Sequence, residues 1–524
     1  MDLDDRIARN RKELDRHPPG NVGRPGALFL LASSMHDRYL ERGEITDLDE
    51  AIALHRSALD LRLPGHLGTS HTSFQAIALC LSRRYDNQAT MPDLEEAIML
   101  GRTALDLRPL GQSGRTVILI SLAKYLKVRF LQLGAIADLD EAIALYRSAL
   151  DLGSADHSNR VHVLHQLAFC LWNRCSKQAT MSDLIEAITL GRAALDLCPP
   201  SHSGRAVALN NLARYLSHRF AKLGANTDLD EAIALHRSAL DLRPAGHSDR
   251  SYSLHQLALC LWCRYSKQAT MSDLDEAIVL GRVALELSPP HHSHRAATLN
   301  SLADHLGDRF LKLGADADLD EIIGLYRSLL VYHPPGHPNR AYALHNLAFY
   351  LWKRYRKQAT ITDLDEAIIL GRVTLEDSPS GHPHRVAVFN NLADYLKYRF
   401  LRLGTDADLN EAILLYRSAL NFHPAGHSDK LTLLNTLVSC LSSRLEKQQT
   451  EADLDEFISL NHNISDLQFM GHPEHSTFLE RLFRLRKRLQ KSDLVDKLDE
   501  YILREQQAGP LPPTIGGILQ RCPR

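Results

Sequence analysis

The sequence predicts an all-α solenoid, and three observations predict it. An Asp-Leu pair recurs at Asp2, Asp47, Asp93, Asp138, Asp183, Asp228, Asp273, Asp318, Asp363, Asp408 and Asp453, with every interval 45 residues except one of 46. A fixed period of this size marks stacked supersecondary units. Within each period, apolar residues return at spacings of three and four in two runs parted by a Pro- or Gly-containing turn, the pattern of two amphipathic helices. Neither run can bury its stripe alone, so stability has to come from packing on neighbouring blocks.

The elements follow in order. Residues 1–26 read as an N-terminal capping helix and turn, because Arg6 and Arg9 stand where later blocks carry Ala and Leu and give that helix a wettable outer face. Residues 27–476 read as an array of about ten repeats. In the block from Asp228, the aspartate is expected to cap the helix N-terminus while Glu231, three residues on, reaches back to the cap. On a helical wheel Leu229, Ala232, Ile233, Leu235, Ala239 and Leu240 share one face, and Asp230, Ser238 and Asp241 point away. Pro244 ends this helix, and Leu254, Leu257, Ala258 and Leu261 mark the next one. Residues 477–507 read as a degenerate capping helix pair. The tail 508–524, with Pro510, Pro512 and Pro513, is expected to be disordered.

A second period, of 90 residues, overlies the first. Eight residues after successive aspartates lie His55, Gly101, Tyr146, Gly191, His236, Gly281, Tyr326, Gly371 and Tyr416. A mid-helix glycine costs about 1 kcal/mol relative to alanine, so these need a packing reason. Trp172, Trp262 and Trp352 precede three of the Gly-containing helices, and each Trp is expected to lie over its own block's Gly. Cys80, Cys170, Cys260 and Cys440 keep the same beat, with Tyr350 in the missing place, and read as small buried hydrophobes. Cys260-x2-Cys263 lacks a second pair at zinc-ligand spacing, and no metal is expected.

The pattern Leu209-x2-Leu212-Ala213-x2-Leu216, followed by Ala232-x3-His236 and Pro244, resembles the tetratricopeptide repeat, with aliphatic residues for its aromatics and alanine for its helix-contact glycine. The usual period is 34 residues. Here seven extra residues fall between Leu216 and Leu229, two helical turns, and four more follow Pro244. Gly-His-Pro or Gly-His-Ser turns and Leu-Asn-Asn-Leu-Ala helices look like the arrays of kinesin light chains, and more like those of fungal proteins that carry a caspase-like CHAT domain. About 20 residues follow the last expected helix, too few for a CHAT module within this chain.

Repetition turns single residues into stripes. One runs along the longer helix of each hairpin: His165-Gln166, Asn210-Asn211, His255-Gln256, Asn300-Ser301, His345-Asn346, Asn390-Asn391 and Asn435-Thr436. The resemblance implies that this helix lines the concave surface, where carboxamides, as both donors and acceptors, suit an extended peptide backbone. The same groups could instead bond to one another between helices. A second stripe, His157, His202, His247, His292, His337, His382, His427 and His472, is mostly followed by Arg or Lys three residues on. It reads as a turn contact, with an acidic ligand or a pH response as the alternative. Two arginine rows, one through Arg219 and Arg264 and one through Arg192 and Arg237, read as a structural ion-pair network, with an anion groove as the alternative. The cluster Arg481, Arg484, Arg486, Lys487, Arg488 and Lys491 reads as the solvated face of a capping helix, with a localisation or acidic-partner patch as the alternative.

Composition excludes other classes. Lys and Arg number 61 against 63 Asp and Glu, a net charge of −2, so binding driven by phosphate charge on nucleic acid or by an anionic membrane is not expected. No apolar run approaches the 18 residues of a membrane span, and the acidic N-terminus is unlike a secretory signal. Eight cysteines without a signal point to a reducing compartment, and a cytoplasmic protein is expected. No P-loop, dinucleotide fingerprint, zincin or nucleophile-elbow motif occurs, so no catalytic residue and no cofactor is assigned. The expected role is a scaffold for a protein or peptide partner. Its rivals are the sensor part of a CHAT-type signalling or defence protein and a purely structural assembly element.

Overall fold

The structure is a computed structural model that describes residues 2–61, 67–108, 114–153, 157–202, 204–292, 294–378, 385–422, 428–468 and 482–508. All regular structure among them is helical, in two compact units, Met1–Leu287 and Ser288–Arg524. The first unit begins with α1 (Leu3–Asp15), then the hairpins α2–α3 (Arg24–Arg42, Ile45–Asp60), α4–α5 (Leu67–Gln88, Met91–Asp106) and α6–α7 (Arg115–Leu133, Ile136–Asp151). It continues with α8–α9 (His157–Gln178, Met181–Asp196), α10–α11 (Arg205–Leu223, Asn226–Asp241) and α12–α13 (Arg250–Gln268, Met271–Glu286). The second unit holds α14–α15 (Arg295–Leu313, Asp316–Tyr332), α16–α17 (Arg340–Gln358, Ile361–Asp377), α18–α19 (Arg385–Leu403, Asp406–Phe422) and α20–α21 (Ser428–Gln448, Glu451–Gln468). A helical stretch over 482–486 and α22 (Ser492–Ala508) follow, and the tail from 509 lies outside the described residues.

Each even-numbered helix folds back through a two-residue turn onto the odd-numbered Asp-Leu helix after it. The turn needs a left-handed residue to close the C-terminus. Gly224, at φ 72°, donates its N–H to the Phe220 carbonyl at 2.7 Å, and Gly43, Gly134, Gly314 and Gly404 do likewise. In the alternate hairpins Ala89, Ala179, Ala269 and Ala359 take the same position at φ 54–57°. The 90-residue period therefore extends to the turns. An alanine there carries about 1 kcal/mol of backbone strain.

Asp2 caps α1, accepting from the Asp4 N–H, but the Asp-Leu aspartate of α11 does not cap its helix. α11 starts at Asn226 with Ala225 as its N-cap, which puts Asp228 inside the first turn, buried, with its carboxylate held by Arg219 of α10 at 2.6 and 2.7 Å. The same bidentate Arg–Asp bond closes all ten hairpins, from Arg38–Asp47 to Arg444–Asp453. Glu231 does not reach back to Asp228 either. It receives Arg192 of the preceding hairpin at 2.8 Å. The second arginine row thus bridges successive odd-numbered helices, as in Arg237–Glu276, and Arg237 pairs with Glu276 instead of the Asp241 four residues on. Two ladders of opposite depth result: Asp228 keeps 6% of its side-chain surface exposed, whereas Arg237 and Glu276 keep 51% and 39%.

The wheel face of α11 is buried as its periodicity requires, with Leu229, Ala232, Ile233 and Ala239 at 2% exposure or less. At Gly191 and Gly371 the Trp-over-Gly expectation fails. A Cβ added at Gly191 would meet Leu212 at 3.3 Å and the Tyr215 ring at 3.6 Å, both on the next hairpin, and Trp172 packs on that same Tyr215 with centroids 6.0 Å apart. The glycine opens space for the following helix because helices of adjacent blocks meet there. Gly371 does the same for Leu392, with Trp352 on Tyr395. The cysteines at 80, 170, 260 and 440 are buried, and burial raises the first three thiols to about 12 and Cys440 to about 11. Such thiols stay protonated and act as apolar filler.

Candidate partner-binding face

Within the first unit α8 and α10, and α10 and α12, approach within 8 Å at their Cα atoms, as α16 and α18 do in the second, whereas successive odd-numbered helices are joined through long Arg–Glu side chains. The even-numbered helices therefore approach one another closely from block to block. The polar row lies on these helices, and most of it is engaged within the protein. Asn211 lies 2.7 Å from Nε2 of His165 on the preceding hairpin, and Asn391 stands 3.3 Å from Nε2 of His345. Asn210 donates to Ser253 at 2.8 Å and faces Nδ1 of the buried His236 at 2.8 Å. Gln166 accepts from Lys127 at 2.5 Å, Asn300 donates to Asp304 at 3.1 Å, Asn346 to Tyr326 at 3.1 Å, and Asn435 to its own helix at the Leu431 carbonyl. His255 is buried and Gln256 half-buried, while the Asn390 side-chain oxygen is buried without a hydrogen-bond partner among the described residues.

Four residues further along the same helices lies a row that the sequence reading did not single out. In the first unit it carries Lys124, Phe169 and Arg214, and in the second Asp304, Phe349 and Asp394. The charge is basic in one unit and acidic in the other. A listing of every 45th residue from Lys124 would have exposed this sign change; the carboxamides three and four positions before drew attention because they repeat more faithfully.

The electrostatics follow the split. In the first unit burial pushes the Lys127 ammonium down, and burial with His162 and Lys127 alongside brings His165 to about 4. Arg214 lies over the Trp172 ring at 4.3 Å and has no ion pair among the described residues, while Lys124 meets Asp86 at 3.7 Å. In the second unit the Asp304 carboxylate accepts from Tyr326 at 2.9 Å and Tyr342 at 3.1 Å, and Asp394 accepts from Tyr416 at 2.6 Å. Burial raises both carboxyl groups.

The histidine stripe has a local role where it is described. Nδ1 of His202, His247, His292 and His337 accepts the N–H two residues on, at 3.0–3.4 Å. Helices start at the arginine three residues after the histidine, and that arginine reaches back to cap the preceding helix: Arg340 donates to the His333 carbonyl at 2.7 Å and Arg385 to the Leu375 carbonyl at 3.0 Å. The His157 side chain and His382, His427 and His472 lie outside the described residues. In the C-terminal basic cluster Arg486 pairs with Asp499 and Arg488 with Glu446. Arg481 is outside the described residues. Among the described residues no group of three His, Cys, Asp or Glu side chains could hold a metal ion, and no helix is long and apolar enough to cross a membrane.

Residues 205–249 and 340–384 match the family model for the tetratricopeptide repeat. No curated protein matches the chain significantly. Among solved structures, the repeats of a Podospora anserina putative kinesin light chain, described as nearly identical and TPR-like, are 19% identical, covering 42% of this chain and 99% of that one with a TM-score of 0.31. YrrB, a TPR protein with an unusual peptide-binding site, is 16% identical over 45% of this chain and 93% of its own, with a TM-score of 0.31. The human IFIT1 dimer with m7Gppp-AAAA is 12% identical over 93% and 94%, with a TM-score of 0.38.

Proposed function

We propose that this chain, in which residues 205–249 and 340–384 match the tetratricopeptide-repeat family model, is a protein-interaction scaffold that holds an extended peptide segment along its even-numbered helices. The observation that carries the reading is the pair of charged rows. Lys124 and Arg214 in the first unit, beside Phe169 and Trp172, suit an acidic segment, and Asp304 and Asp394 in the second suit a basic one. The carboxamide and imidazole row, His165, Gln166, Asn210, Asn211, His255, Gln256, Asn300, His345, Asn346, Asn390, Asn391 and Asn435, forms the floor. It orders the helices through its mutual bonds and offers its remaining lone pairs and N–H groups to a peptide backbone. Affinity spread over several hairpins fits a solenoid, where each repeat touches only its neighbours.

An array of short acidic, neutral and basic peptides, probed with the full chain, tests this. Acidic peptides should be retained by wild type and lost in Lys124→Glu/Arg214→Glu, with melting temperature unchanged. Equal retention by the variant would contradict the proposal.

A further inference from the structure

On the turn edge of the first unit a cavity of about 280 Å³ opens between the start of α10 and the end of α11. His202, His247, Arg243 and Asp249 line it, with Ser201 and Val207. Arg243 is 3% exposed, unusual for a side chain that is always charged. One terminal nitrogen donates to Ser253 at 2.5 Å and to the Asp249 carbonyl at 3.2 Å; the other reaches the half-exposed Asp249 carboxylate at 3.3 Å. Its Nε has no partner. The neighbouring repeats place Cys198 and Ser288 at this position, so the buried cation departs from the local pattern, although Arg108 recurs there three blocks earlier.

The turn contact that the stripe repeats fixes the tautomer of both imidazoles. Nδ1 of His202 accepts from the Gly204 N–H at 3.0 Å and Nδ1 of His247 from the Asp249 N–H at 3.1 Å, so each neutral ring carries its proton on Nε2 as a donor. His202 and His247, each with an Nε2–H donor, and the buried guanidinium of Arg243 thus border one small cavity near the N-terminus of the 19-residue α12. We propose that this cavity binds a phosphate group, either free phosphate or the phosphoryl end of a phosphorylated side chain, with Arg243, His202 and His247 as donors. Burial also depresses the Arg243 guanidinium, a penalty that a bound dianion would relieve.

The test is a titration of histidine ring signals in the full chain at pH 7 with inorganic phosphate, phosphoserine and acetate. A saturable shift of the His202 and His247 signals is expected with one or both phosphates, with Kd about 1 mM or tighter. Phosphate affinity, followed in parallel by titration calorimetry so that it is readable without the two rings, should weaken about tenfold or more in Arg243→Gln and in His202→Gln/His247→Gln. The double histidine variant guards against misfolding, since both rings lie on the turn surface. The tighter of the two phosphates identifies the source. An unsaturable response, equal binding of acetate, or undiminished binding in the double variant would overturn the assignment.

Discussion

At the residue scale the fold is closed by one ion pair used ten times. The buried Arg–Asp bond at each turn and the exposed Arg–Glu bridge between blocks involve the same residue types at different depths, and depth decides their value. Removing Arg219 leaves Asp228 buried without its bidentate partner, so Arg219→Met should cost about 2 kcal/mol. Arg237→Met, at an exposed pair, should cost about 0.5 kcal/mol. Hydrogen exchange of the α10–α11 and α11–α13 amides measures both, and equal effects would show that burial does not separate the ladders. The buried histidines give a pH signature. His236 and His165 are held neutral by burial, at about 3 and about 4, against about 6.5 in an unfolded chain. Each contributes stability that is complete above about pH 6.5 and is lost as pH falls toward those lower values. His236→Tyr, the residue found at 146, 326 and 416, should reduce proton uptake on unfolding near pH 5 by about one proton. Asp304 and Asp394 work in the opposite direction, because their raised folded pKa adds stability as pH falls through it. The variant comparison cancels that contribution.

At the element scale, the helices and their pairing were legible from periodicity: on the wheel of α11, Leu229, Ala232, Ile233 and Ala239 are buried, Leu235 and Leu240 half-buried, and Asp230, Ser238 and Asp241 exposed. The partners of the polar groups were not. Asp228 was read as a cap because Asp-x-x-Glu before an apolar run is a local signal, whereas its actual partner, Arg219, lies across a turn whose left-handed Gly224 had gone unnoticed. The glycines failed for the same reason, since their neighbours sit one block on. Two irregularities of the 90-residue beat do explain each other. Where α12 puts Cys260 against Ser217 of α10 at 3.2 Å, α16 puts the larger Tyr350 in the cysteine's place, and α14 answers with Gly307. A Cβ at Gly307 would fall 2.1 Å from the Tyr350 hydroxyl. Gly307→Ser and Tyr350→Cys should each destabilise, by overpacking and by a cavity. The double variant should recover about 1 kcal/mol or more relative to their sum in a denaturation cycle. Strict additivity would remove the pairing.

At the scale of the whole molecule, each unit is a stack in which even-numbered helices follow one another along one side. The polar stripe lies on those helices, and of its two readings the bonding of these groups within the protein applies to at least nine of the twelve residues. One turn on lies the charged row, basic in the first unit and acidic in the second, whose carboxylates accept from Tyr326, Tyr342 and Tyr416 while Arg214 has no ion pair among the described residues. The central claim is that this row selects a partner. Its most direct measurement is quantitative capture from native lysate with wild type, Lys124→Glu/Arg214→Glu and Asp304→Asn/Asp394→Asn, each shown to keep its helical signal and melting temperature. The account predicts that at least one specific protein is depleted about tenfold in one charge variant and returns when the opposite charges are placed on its own segment. An unchanged set of captured proteins in both variants would contradict it.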